Sequence, residues 1–164
     1  MIIALVIKLL HIFGGIGLVS GLIGRGMTMW KAQRTADVRV VVQLTQLAGW
    51  FERWLVIPSS WIILLFGLIA ALHNGWPLLG FLQGAQANWL LVSLVLFLSI
   101  IPVIIFIFLP RGRVFGQALE DALRQGSVTS NLQAAFADRL VAIAHVYELV
   151  VVFLIMILMI AKPF

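Results

Sequence analysis

There is no cysteine anywhere in the 164 residues. That absence excludes disulfides, iron–sulfur clusters, thiolate zinc sites and thioether-attached haem. Any cofactor has to be held by His, Lys, carboxylate or Met side chains, or by packing alone. Charge is scarce as well: Asp, Glu, Lys and Arg make up 10% of the chain, against roughly 25% in soluble domains. Period-two alternation is missing from the apolar runs, which argues against a β-barrel. A phosphate-binding loop, a dinucleotide fingerprint and a nucleophile elbow are all absent. There is no internal repeat and no low-complexity tract, so a repeat-built transporter is not indicated. The N-terminal run lacks a basic leader and an Ala-x-Ala site, and it reads as a permanent helix rather than a cleaved signal.

What is present is apolar: 63% of residues are hydrophobic, with a mean hydropathy of +1.14. The class is all-α, a polytopic membrane protein whose 164 residues form a single transmembrane domain. Four spans come close to the roughly 20 residues that a hydrocarbon core of about 30 Å requires. They fall at 2–26, 54–72, 89–109 and 140–161, giving a four-transmembrane-helix bundle. Between the third and fourth spans, Val114, Phe115, Ala118, Leu119, Ala122 and Leu123 recur at helical spacing. This predicts a short cytoplasmic amphipathic helix over Val114–Gln125, with Gly126 as its C-cap. Ser130 to Gln133 then has the pattern of a capping box. Pro58 and Pro102 are expected to kink the second and third spans, and Pro110 to stop the third.

Eleven basic residues face six acidic ones, with a pI near 10.8, yet nucleic acid is not the implied partner. The first connection carries Lys31, Arg34 and Arg39, flanked by Arg25 and Arg53. The third carries Arg111, Arg113 and Arg124, with Arg139 at its end. The second, His73 to Asn88, holds no Lys or Arg. Nine of the eleven basic residues therefore share one side, which the positive-inside rule makes cytoplasmic. The expected location is a bacterial cytoplasmic (inner) membrane with both termini outside, the lipid bilayer being the first partner. His73 reads as a solvated loop residue.

Ionisable residues inside a span are costly and mark function or a satisfied structural pair. The first span holds Lys8, His11 and six glycines, and at about 100° per residue Lys8, His11, Gly14, Gly15, Leu18, Gly21 and Arg25 share one broad face. Gly17 and Gly21 form a close-approach pair for another helix. Asp138, His145 and Glu148 form a polar face on the last helix. Glu52 reads as snorkelling to headgroups, the alternative being a pair with a cation such as Arg25. Histidine is the usual axial ligand where haem sits in a helical bundle. Three readings follow for His11: ligand to a haem or porphyrin iron, hydrogen-bond partner of Glu148, or donor to a carbonyl where a glycine lets the backbone approach. Counted from the outer edge at about 1.5 Å per residue, His11 and His145 lie at different depths, so one haem bridging both is not expected. The candidate cofactor, haem b or a porphyrin, would thus involve His11 as metal ligand, with Gly14, Gly15, Glu148 and His145 around it.

Short motifs add a resemblance. Lys8-Leu-Leu-His11 opens the glycine-rich span, Arg53-x-x-Val-Ile-Pro58 begins the second, Trp89 opens the third, and Met159-Ile-Ala-Lys162-Pro163 closes the fourth. In this order they resemble the bacterial integral-membrane family catalogued as domain of unknown function 2269, over nearly the whole chain. That family looks distantly similar to HemJ-type protoporphyrinogen oxidases and to CopD-like membrane domains. The HemJ resemblance implies a haem-associated helical protein in which His11 and Glu148 match functional positions. Ser93 stands where those oxidases have a lysine, four residues after Trp89. The functions implied are haem or porphyrin binding for electron transfer or haem handling, an accessory or assembly subunit docked on a membrane-protein partner or a second copy, and a HemJ-like oxidase.

Overall fold

A computed structural model describes residues 2–163, so Met1 and Phe164 of the single-domain reading lie outside the described residues. The chain is all-helical, with four helices long and apolar enough to cross a membrane: Ile2–Gln33, Val38–His73, Trp89–Gln125 and Ser130–Ala161. The first is unbroken and is called α1 (Ile2–Gln33). The second comprises α2 (Val38–Phe51), a wide π turn over Glu52–Val56, and α3 (Ile57–His73). The third comprises α4 (Trp89–Val103), a π turn over Ile104–Phe108, and α5 (Leu109–Gln125). The last is divided at Ala137 into α6 (Ser130–Phe136) and α7 (Arg139–Ala161).

The prolines explain the wide turns. Proline has no N–H, and its ring collides with the carbonyl four residues back. Pro58 and Pro110 each follow a turn in which the helix widens: the Ile57 N–H bonds to Glu52, and the Leu109 N–H to Ile104. The extra residue lets the helix continue instead of ending, so Pro110 does not stop the third span. Consequently Val114–Gln125 is not a separate short helix. It belongs to α5, a continuation of α4, which ends at Gly126 in the left-handed conformation. Its apolar face packs on protein: Ala118 and Ala122 join Ala32 of α1, Val38 and Val41 of α2, and Leu132 of α6 in a small core. Helices of 32 to 37 residues are about 48–56 Å long at 1.5 Å per residue, well beyond a core of about 30 Å. That small core therefore belongs to a helical extension at one end of the bundle.

Helix starts are chemically explicit. Asp37 caps α2 through the Arg39 N–H, and Asp138 caps α7 through the N–H groups of Leu140 and Val141. Thr129, rather than Ser130, caps α6, accepting from the Leu132 N–H.

Contacts between helices give their directions. Gly14 lies against Ile62 and Ile63, Gly21 against Leu55 and Val56, and Gly24 against Phe51, so α1 and the second long helix run antiparallel. Ser99 of α4 meets Tyr147 of α7, and Trp89 lies in a cluster packed by Met159. The bundle is thus up-down-up-down. One end, here the basic end, carries the turn after α1 and the connection after α5. The other, the terminal end, carries the first residues of α1 and the last of α7. α1 packs most closely on α3, and α4 on α7. Two cavities occupy the seam between these pairs, one toward each end.

Candidate functional site

The terminal-end cavity has a volume of about 690 Å³ and is lined by residues of α1, α3, α4, the end of α7 and the connection after α3, among them Lys8, His11, Gly67, Trp76, Trp89 and Lys162. Its ionisable lining residues are all bases: Lys8, His11, His73 and Lys162. His73, exposed as the last residue of α3, contributes to this wall from the helix rather than from the loop.

His11 is half-buried, and its Nδ1 lies 3.0 Å from the Ile63 carbonyl. A carbonyl only accepts, so Nδ1 carries the proton, and in the neutral ring Nε2 keeps its lone pair. The contact depends on the opposing helix being bare at one point. A Cβ on Gly67 would stand 3.0 Å from Cε1 and 3.2 Å from Nδ1 of His11. Of the three readings of His11, the bond to a carbonyl beside a glycine is the one observed, and it leaves the ligand reading open. A backbone carbonyl on the second nitrogen is the usual orienting partner of a metal-bound histidine.

At the basic half the polar residues of three helices converge on Arg25. Its Nη1 donates to Glu52, and its Nη2 to Glu148 and to His145 Nδ1, the latter at 3.0 Å. The same His145 nitrogen stands 3.7 Å from the Glu148 carboxylate. The imidazole stacks on Phe108 at 4.7 Å between ring centroids. Glu148 is buried, and Arg25 nearly so. No buried side-chain nitrogen or oxygen lacks a partner among the described residues. The snorkelling of Glu52 is thus replaced by the ion pair with Arg25. The cause is local: Glu52 opens the π turn before Pro58, and Gly21 and Gly24 bring α1 against that turn. A second cavity, of about 240 Å³, adjoins this cluster. It is walled by apolar residues such as Leu18, Phe97 and Val152, and touched by Glu52 and Glu148.

The expected grouping of site residues is therefore divided. His11 faces one cavity, while Glu148 and His145 belong to the Arg25 cluster at the other end, so Glu148 is not the partner of His11. Asp138 leaves the polar face of the last helix to cap α7 and to pair with Arg111 at 2.8 Å. Gly14 is covered by Ile62 and Ile63, leaving no room there for a flat ligand, whereas Gly15 has open space beside it. Ser93 is buried, with its hydroxyl bonded to the Trp89 carbonyl. No group of three or more His, Asp or Glu side chains is arranged to hold a metal ion among the described residues. Lys162 and Gly67 escaped the sequence reading as site residues. In the sequence Lys162 reads only as the end of a span and Gly67 as a close-approach point of the second span, since linear order does not show which helix opposes His11.

The model of a family described as "Predicted integral membrane protein (DUF2269)" covers residues 5–163. No curated protein and no solved structure matches the chain.

Proposed function

The chain belongs to the DUF2269 family of integral membrane proteins, and from that premise we propose that it binds haem b or a porphyrin in the cavity at its terminal end. The observation that carries this reading is the His11–Ile63 bond. It holds the imidazole in the tautomer that an iron ligand needs and orients it from the second nitrogen. The 690 Å³ of the cavity lies within the range of about 300–1,000 Å³ usual for small-molecule sites. Met159 lines the same cavity and is a second soft donor. When bound, the iron would supply one-electron chemistry, suiting electron transfer or haem handling. What the chain itself provides is a fixed imidazole, an apolar wall and a basic rim.

The oxidase reading is weaker, because Ser93 offers neither a cation nor a free hydroxyl where the HemJ-type lysine would stand. An accessory role has its own support in α1, whose outward residues Phe13 and Ile16 are exposed beside the open Gly15. The open backbone at Gly15 would let a second membrane helix approach closely there. The orientation proposed places the basic end in the cytoplasm of a bacterial inner membrane.

The test is absorption spectroscopy of protein purified without added haem and then titrated with haemin. A Soret band that shifts on binding is expected. His11→Ala should abolish the ligand-field signature of bound haemin while metal-free porphyrin still binds. If neither tetrapyrrole binds the wild-type chain, the reading is wrong.

A further inference from the structure

Among the described residues, the terminal-end cavity is lined by Lys8 and Lys162 with no carboxylate beside them, and neither lysine forms an ion pair. Lys162 is held in place. Its Nζ sits 4.3 Å from the centroid of the Trp76 ring and 5.3 Å from that of Trp89, and these two indoles meet edge to face. Cation–π contact of this kind is favourable yet leaves the ammonium donors available. The backbone at Lys162 is left-handed, with φ 45°, where it terminates α7 through its N–H to the Leu158 carbonyl. Glycine or asparagine ordinarily fills that cap, so the helix end alone does not call for a lysine. Lys8 reaches the same cavity from α1, one turn before His11.

We infer that Lys8 and Lys162 form a carboxylate clamp at the rim of this cavity, so that the site selects tetrapyrroles bearing free acid side chains. The inference rests on the tetrapyrrole reading above and adds a specificity to it. The apolar wall and His11 engage the macrocycle, which esters share with acids. The two ammonium groups engage only the ionised carboxylates, as charge-assisted hydrogen bonds at an aqueous edge. Two cations for two carboxylates also fit the acid count of protoporphyrin better than that of a monoacid.

The experiment compares protoporphyrin IX with its dimethyl ester on the full chain in lipid nanodiscs, following quenching of tryptophan fluorescence, with empty nanodiscs to subtract partitioning. The diacid should bind at least about tenfold more tightly, the worth of one charge-assisted bond. Lys8→Gln and Lys162→Gln should each weaken the diacid several-fold and leave the ester unchanged, the double variant bringing both ligands to one affinity. Lys162→Arg should retain the preference, since it keeps the charge. Both lysines are exposed, so these variants are expected to fold, and circular dichroism checks it. Equal binding of acid and ester by the wild type would overturn the clamp while leaving the tetrapyrrole site standing, as would substitutions that weaken both ligands alike. Binding of neither ligand would overturn both.

Discussion

Glu148 is the buried carboxylate of the bundle, and Arg25 is what makes its ionised form tolerable. A charged group removed from water is stable only when paired and hydrogen-bonded, and Glu148 meets both conditions through Arg25. Glu148→Ala should therefore destabilise the protein by about 3–5 kcal/mol, because it leaves part of the Arg25 charge uncompensated. Glu52 is more than a third exposed, so Glu52→Gln should cost no more than about 1 kcal/mol. The double replacement Arg25→Met with Glu148→Leu should recover much of the single-variant loss, since apolar residues can substitute for a whole buried pair. Thermal unfolding in one detergent, followed by tryptophan fluorescence, measures all three. Equal losses for Glu52→Gln and Glu148→Ala would show that burial is not what sets the cost. The presence of ionisable residues inside the spans was legible in the sequence. Which of the possible pairs form was not, because counting along a helix does not show which neighbour packs where. For Glu52 the sequence leaves two readings, headgroup contact first and a pair with Arg25 as the alternative; the glycines of α1 bring the two helices close enough for the pair to form.

The glycine ridge of α1 sets that distance. Gly14, Gly17, Gly21 and Gly24 recur at spacings of three and four, and all face the second long helix. A Cβ on Gly21 would stand 2.9 Å from atoms of both Leu55 and Val56, and 3.1 Å from the Val56 backbone nitrogen. Backbone cannot yield as a side-chain tip can, so Gly21→Ala should force α1 outward and cost about 1–3 kcal/mol, the range for overpacking. Gly26 is helical and exposed, with nothing near a Cβ. There Gly26→Ala should instead stabilise by about 0.5–1 kcal/mol, through the helix preference of alanine alone. Opposite signs in the same thermal assay are expected; destabilisation by both would mean that Gly26 packs against a partner. The close approach of Gly17 and Gly21 could be read from spacing, whereas the fate of Pro110 could not. Pro110 predicted a stop. The rule behind that expectation treats the helix as purely i to i−4, and one wide turn before the proline removes the clash and carries the helix on. The expectation of a separate amphipathic helix fails for the same reason: the stretch continues α4, and its Ala118 and Ala122 are buried against residues of α1, α2 and α6.

At the scale of the whole molecule, the two ends of the bundle differ in chemistry. The basic end extends past the apolar spans as a packed helical cap rich in Arg, and the terminal end closes with tryptophans and two lysines around a cavity. Spans, their number and this charge asymmetry were legible from composition and order alone. The cavity was not, since it arises from the seam between the α1–α3 and α4–α7 pairs. The asymmetry has a consequence for insertion. Positive charge is retained on the cytoplasmic side during insertion, so Ser127, next to the Arg-bearing α5, should face the cytoplasm, and Gln86, in the connection before α4, should face outward. Both residues are exposed, and the complete lack of cysteine makes each single replacement a clean reporter. Gln86→Cys should react with a membrane-impermeant maleimide in intact bacterial spheroplasts, while Ser127→Cys should react only after permeabilisation. The reversed pattern would place the lysine-rimmed cavity on the cytoplasmic side, where a tetrapyrrole would enter from inside the cell. The expected pattern opens it to the opposite face, so that any ligand made in the cytoplasm reaches His11 only after crossing or entering the bilayer.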